Sequence, residues 1–201
     1  MVSAANLDQV ERFTQVVPQL KPVDRDRYAQ LLHNPENQSP RELNQLIPEM
    51  TEIEVDNSLS QRSVTGELTV AAWNLERGRH WREAVQLFRT HPTLQKVDVL
   101  CLSEMDYGMA RAHNEHTTRE LAQALGMNYA YGVEFFYLSI GTPQERATYS
   151  GVNQVGYHGN AILSRLPLRS LRAIRLPGVE KWYGSSEKRL GGRQALFADI
   201  Q

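Results

Sequence analysis

The chain has 201 residues, of which 41% are hydrophobic and 22% charged, a balance that excludes wholesale disorder and fits one globular domain with an extension. A net charge of −1 hides an asymmetry: residues 1–66 sum to −4, whereas residues 141–201 sum to +5, which suits an anion such as phosphate or a merely solvated basic edge. The single cysteine, Cys101, excludes a disulfide framework or cysteine zinc site within one chain, and with no apolar run near the ~18 residues of a bilayer span and no leader-like N-terminus, the expected location is cytoplasmic.

Residues 1–50 predict helices. Leu7, Val10, Phe13, Val16 and Val17 recur at helical spacing. Asp24 or Asp26 is placed to cap a helix carrying Tyr28, Leu31 and Leu32. Asn34-Pro35 marks a turn, and Ser39-Pro40 opens another helix with Glu42 in its first turn and Leu43, Leu46 and Ile47 apolar. Residues 51–66 are polar and irregular, which predicts a linker between a helical extension (1–66) and a main domain (67–201). The apolar run 68–73 reads as a buried strand ending at Asn74, and residues 80–90 follow a helical period through Trp81, Val85, Leu87 and Phe88. Residues 97–102 read as a second buried strand, and 115–125 as a helix stopped by Gly126. Residues 129–138 form an aromatic strand, 159–164 a strand closed by Leu166-Pro167, 168–176 a half-buried strand, and 193–200 the last strand. This order predicts an α+β fold with a mixed sheet and helices on one face.

Two strand ends carry the chemistry. Asn74 follows one buried strand and Glu104 another, so neighbouring strands bring an amide and a carboxylate to one sheet edge, where ligands of α/β sheets bind. Both are hard oxygen donors, suited to Mg²⁺ or Mn²⁺ rather than zinc, and such a site keeps several waters. The alternative is an Asn74 that caps its turn and a Glu104 that is a solvated charge. His113 and His116 are spaced like a metal pair but lack a zinc-protease pattern, and exposure is the expectation for them. Asp106 reads as a site member or turn residue, Glu76 and Arg77 as a cleft mouth or exposed pair, and Cys101 as packing. Ser103 and Ser164 show no nucleophile elbow. Tyr131, Phe135, Phe136 and Tyr137 offer base-stacking faces or, more simply, core.

Three segments in order, AAWNLERG (71–78), VDVLCLSEMD (97–106) and YHGNAILSRLPL (157–168), resemble the endonuclease/exonuclease/phosphatase superfamily, the deoxyribonuclease I-like metal-dependent phosphoesterases. The segment from Gly192-Arg193 through 200 is similar to that family's next strand. The resemblance implies an αββα sandwich, of which this chain carries about the first half. It also implies Mg²⁺ or Mn²⁺ on Glu104, with Asn74 positioning the ion or a phosphate oxygen. His158 and Asn160, on the loop entering strand 159–164, would reach a phosphate-ester substrate, nucleic acid among the candidates, and Arg193 would contact an anionic group. The family's later Gly-Asp-x-Asn and Ser-Asp-His motifs have no counterpart, because the sequence contains no Gly-Asp and no Asp-His dipeptide. The expectation is a phosphodiester or phosphomonoester hydrolase that is weak or inactive alone, completed by a second chain, or else a non-catalytic module that binds a phosphate ligand or a protein.

Overall fold

The computed structural model of the chain describes residues 11–33, 46–63, 66–176 and 186–200. In chain order the strands are β1 (Arg12–Phe13), β2 (Gln15–Val17), β3 (Glu52–Asp56), β4 (Val70–Arg77), β5 (Val99–Tyr107), β6 (Asn128–Tyr137), β7 (Tyr157–Ser164), β8 (Leu168–Arg175), β9 (Arg189–Gly191) and β10 (Gln194–Ile200). The helices are α1 (Arg25–His33), α2 (Trp81–Thr90), α3 (Thr117–Leu125) and α4 (Pro143–Thr148). A seven-stranded sheet runs β2-β3-β6-β7-β5-β4, with β9 also paired to β6, and a three-stranded sheet runs β1-β8-β10.

The β4–β5 pair is parallel, with Asn74 opposite Ser103, and α2 lies between the two in sequence as their crossover. β5, β7 and β6 are mutually antiparallel through β7. Alternation decides which face each side chain takes. Leu100, Leu102, Leu163, Tyr129 and Tyr131 join Val85, Phe88 and Leu121 of the helices in one core. Val99, Ile162, Ala130 and Ile53 turn to the other face and pack on Phe13, Leu171 and Ala173 of the small sheet. Gly159 allows a close approach, though to protein rather than to a ligand: a Cβ there would stand 1.9 Å from the Gly132 carbonyl oxygen of β6.

The small sheet covers only part of that second face, with β10 over β7 and β6 and β8 over β6 and β3. Val70 and Ala72 of β4 and Cys101 of β5 are therefore exposed. This corrects the reading of Cys101 as core packing and that of 68–73 as a buried strand, since Leu68 and Trp73 are exposed as well. An apolar strand buries both faces only where both are covered.

The N-terminal reading is corrected more deeply. Phe13 and Val16–Val17 lie in strands rather than a helix, and the segment 52–56 is a strand paired with β6 rather than linker. The pattern Glu52-Ile53-Glu54-Val55-Asp56 alternates with period two, but it looks solvated because Glu54 is buried against charged partners that only the fold supplies. α1 forms as expected, with Asp24 Oδ1 accepting the Arg27 N–H at 2.9 Å. Leu7, Val10, Asn34-Pro35 and Ser39–Leu43 lie outside the described residues. Leu46 and Ile47 precede a single 3₁₀ turn at Pro48–Thr51. All of β6 is buried, so its five aromatics, Tyr131, Phe135, Phe136 and Tyr137 among them, are core and unavailable for stacking on bases. His116, expected to be exposed, is buried at the N-cap of α3, where Nδ1 accepts the Arg119 N–H at 3.3 Å. α4 was not foreseen, although Thr142-Pro-Gln-Glu145 is a capping box with proline at the first turn.

Candidate metal and phosphate site

Both parallel strands leave their ladders at the same level. The β4–β5 register shifts between Asn74 and Arg77, and the β5–β7 register shifts between Leu102 and Met105. The residues at these breaks take left-handed backbone angles: Glu76 has φ 44°, Arg77 φ 70° and Glu104 φ 60°. Non-glycine residues in that region cost about 1–3 kcal/mol each and persist only where surroundings enforce them, often at functional sites. Here Asn74 Oδ1 accepts the Glu76 N–H at 2.9 Å and closes the turn. The turn-capping alternative for Asn74 is thus realised, and the second lone pair of that oxygen is left for another partner.

The turn aims Arg77 back across the strand ends. Its Nε donates to Glu145 Oε1 of α4 at 3.2 Å, while Nη1 lies 3.5 Å from Glu104 Oε2 and 3.4 Å from His158 Nε2. Arg111 donates to both Asp106 oxygens at 2.7 and 2.9 Å, and to Glu145 at 3.2 Å. His158 Nδ1 lies 2.8 Å from Asp106 Oδ1. Six side chains thus form a connected chain of charge: Glu104, Arg77, Glu145, Arg111, Asp106 and His158.

Burial works against the charge of Asp106, yet Arg111 and His158 outweigh it and hold the carboxyl below its usual range. Burial pushes His158 down, and the positive Arg111 and Arg77 add to this against the pull of Asp106. A neutral imidazole with its proton on Nδ1 satisfies both contacts, because Nδ1–H donates to Asp106 and Nε2 accepts from Arg77. For Arg77, burial and Arg111 oppose the charge, and Asp106 and Glu145 are among the groups that overcome them, so its pKa is raised.

His158 lies within β7 and is 1% exposed, not on an entering loop. It touches the charge chain from beneath and does not reach a substrate as expected, because the strand begins one residue before it. Asn160, two positions on, does line an open cavity of about 440 Å³ with Asn74, Ser103 and Gln194. One N–H of its amide donates to the Gln194 carbonyl at 2.9 Å. Arg193 pairs with Glu134 at 3.3 Å and lies over the Phe135 ring. Asn74, Ser103 and Asn160 are therefore brought together, Glu104 stands next to Ser103 in sequence, and Arg193 is engaged elsewhere. Asp106 is neither a turn residue nor a cavity residue but the buried anchor of Arg111. Glu145 was missed, although its capping box was readable. Arg111, on a one-turn 3₁₀ segment, carried no sequence signal.

Among the described residues, no three His, Cys, Asp or Glu side chains gather to hold an ion. The donor set is instead sparse: one carboxylate, Glu104, 27% exposed, next in sequence to Ser103, which shares its cavity with the amides of Asn74 and Asn160. A single carboxylate suits a hard dication that keeps most of its waters. Among the described residues no helix is long and apolar enough to cross a membrane.

Compared with known proteins, no curated sequence and no solved structure matches the chain. A family model described as the Endonuclease/Exonuclease/phosphatase family matches residues 71–182, which span both broken strand ends, α4 and the Asn160 strand. With its mixed sheet, its facing second sheet and its helices, the chain belongs to the endonuclease/exonuclease/phosphatase family.

Proposed function

We propose that this chain supplies the divalent-ion and phosphate-holding part of a phosphoesterase site that acts on phosphodiesters or phosphomonoesters. The observation that carries the reading is the meeting of Asn74, Ser103 and Asn160 on one cavity, with Glu104 next in sequence to Ser103, where two parallel strands break register together. Glu104 would take Mg²⁺ or Mn²⁺, with Asn74 as a neutral oxygen donor beside it. A bound dication polarises a phosphoryl oxygen and stabilises charge on the leaving oxygen. Asn160 spends one N–H on Gln194, and its second is available to a non-bridging phosphate oxygen.

A group that would orient or deprotonate water is missing from this inventory: the described site offers His158 only as a buried neutral base already engaged with Asp106 and Arg77. The 201 residues also contain no Gly-Asp or Asp-His pair. The purified chain is therefore expected to bind Mn²⁺ but to hydrolyse a generic phosphodiester such as bis(p-nitrophenyl) phosphate barely above the ion alone. Calorimetry with wild type and Glu104→Ala tests the first half, and unchanged Mn²⁺ affinity in the variant would remove the metal assignment. Robust Mg²⁺-dependent turnover would overturn the second half.

A second reading is a non-catalytic module that holds a phosphate ligand or a protein. The exposed face of Val70, Ala72 and Cys101 adds room for a second chain that completes the sandwich. Phosphate binding without turnover, unchanged by any added chain, would select the module.

A further inference from the structure

Arg77 is held very differently at its two ends. Its Nε contacts Glu145, and Glu145 is immobilised three ways. It sits at the third position of α4, its Oε2 accepts the Thr142 N–H at 2.7 Å, and Arg111 reaches the same oxygen at 3.2 Å. A Cβ on Gly141 would stand 2.1 Å from that oxygen, so even the preceding glycine is shaped around this carboxylate. The Nη1 end is loose by comparison. It meets Glu104 at 3.5 Å and the neutral His158 Nε2 at 3.4 Å, both longer than a good charge-assisted hydrogen bond, and Glu104 is the most exposed carboxylate of the chain of charges. Arg77 itself is only 14% exposed, yet it stands over the carboxylate read above as the ion ligand.

A guanidinium in that position is a cation already in place at Glu104. Any divalent ion arriving there meets a like charge and must displace it. The displaced Nη groups remain tethered by Nε to Glu145, and they need an anion. Phosphoryl oxygens suit a guanidinium fork better than water or a lone carbonyl does.

We infer that Arg77 is a tethered stand-in cation that neutralises Glu104 until a divalent ion takes the carboxylate, and that its freed guanidinium then holds a phosphoryl oxygen. The inference rests on the metal reading of Glu104. It makes ion and phosphate binding mutually reinforcing: the ion releases the phosphate clamp, and by linkage phosphate tightens the ion by the same factor. Glu145 is a positioning residue that limits the swing to the Nη end.

The test is Mn²⁺ calorimetry on the full chain, with and without inorganic phosphate. In wild type, phosphate is expected to tighten Mn²⁺ binding several-fold. Arg77→Gln, which removes the stand-in charge, should tighten Mn²⁺ binding in the absence of phosphate on the order of tenfold and abolish the phosphate effect. Arg77→Lys, which keeps a charge without the fork, should leave Mn²⁺ affinity near wild type and weaken the phosphate effect. An Arg77→Gln affinity within twofold of wild type, or weaker, overturns the inference. Against the chance that the variants misfold, the Arg77 Nε–H resonance of the intact wild-type chain should shift on Mg²⁺ titration and not in Glu104→Gln; a static resonance overturns it as well. Glu104→Gln separates the two levels. If it keeps Mn²⁺ affinity, the metal reading falls and takes this inference with it. If it loses affinity while Arg77→Gln does nothing, only the role of Arg77 falls.

Discussion

The molecule contains two constellations built from the same parts, a histidine, a carboxylate and an arginine in the interior, and they behave differently. In the first, Glu54 of β3 is wholly buried and meets the Tyr129 hydroxyl at 2.6 Å, Arg119 at 2.8 Å, the Leu20 N–H at 2.8 Å and His116 Nε2 at 3.0 Å. Its oxygens are fully occupied by groups from β6, α3 and the segment before α1. In the second, Asp106, His158 and Arg111 are equally buried, but the chain of charge runs out through Arg77 to Glu104, which is 27% exposed on left-handed backbone. A buried histidine–acid pair therefore does not mark chemistry by itself. What separates the two is closure: the first ends on protein partners, and the second ends at a loosely paired, partly exposed carboxylate next in sequence to a cavity residue.

The comparison is broken most severely by removing a partner at the buried root of the second constellation. Arg111→Ala leaves the buried Asp106 without its charge partner and held only by the neutral His158, and is expected to cost about 3–5 kcal/mol in denaturant unfolding. A cost below about 1 kcal/mol would mean that the root is not the anchor described.

Acid sharpens the comparison at the first constellation. Burial opposes the charge of Glu54, but His116, Tyr129 and Leu20 hold its carboxyl down to about 2. A carboxyl lowered on folding stabilises fully above its unfolded value, near 4.5, and that stability is lost as pH falls toward 2. Burial also lowers His116 from 6.5, so the unfolded chain takes up that proton first and the loss begins below about pH 6.5. Thermal melts should therefore weaken steadily from pH 6.5 downward, with Glu54 accounting for on the order of 3 kcal/mol of the acid limb. Glu54→Gln should flatten that limb, and an unchanged pH profile in the variant would remove the closed cluster as its cause.

The smallest stability effect is expected where the functional effect is largest. Glu104→Gln removes a half-solvated, loosely paired charge and should change stability by less than about 1 kcal/mol in either direction. The same variant should lose Mn²⁺ binding. A large destabilisation would make Glu104 a structural residue like Glu54 and erase the contrast.

Much of the frame was readable from the chain. The strands around Asn74 and Ser103-Glu104, the helical period of 81–90 and the strand 159–164 all appear as elements, although β4 and β5 run on past the oxygen donors to Arg77 and Tyr107. They do so because an apolar run or an amphipathic helix shows its period in its own composition, although burial does not follow from it: β4, read as a buried strand, is mostly exposed. The failures share a cause. Glu54, His116 and His158 are polar residues buried by partners distant in sequence, so their segments look like linker, exposed turn and loop. Cys101 errs in the opposite direction, since its strand is apolar but the sheet that would cover it does not extend that far.

The sequence by itself determined that strands form around Asn74 and around Ser103-Glu104 and that both carry oxygen donors, because local periodicity and residue type suffice for that. Only the tertiary structure decided that Arg77 turns back over Glu104, that Glu145 and Arg111 brace it, and that His158 stays neutral beneath. Those contacts join residues 27 to 81 positions apart, and their strength depends on excluded water, which no local pattern records.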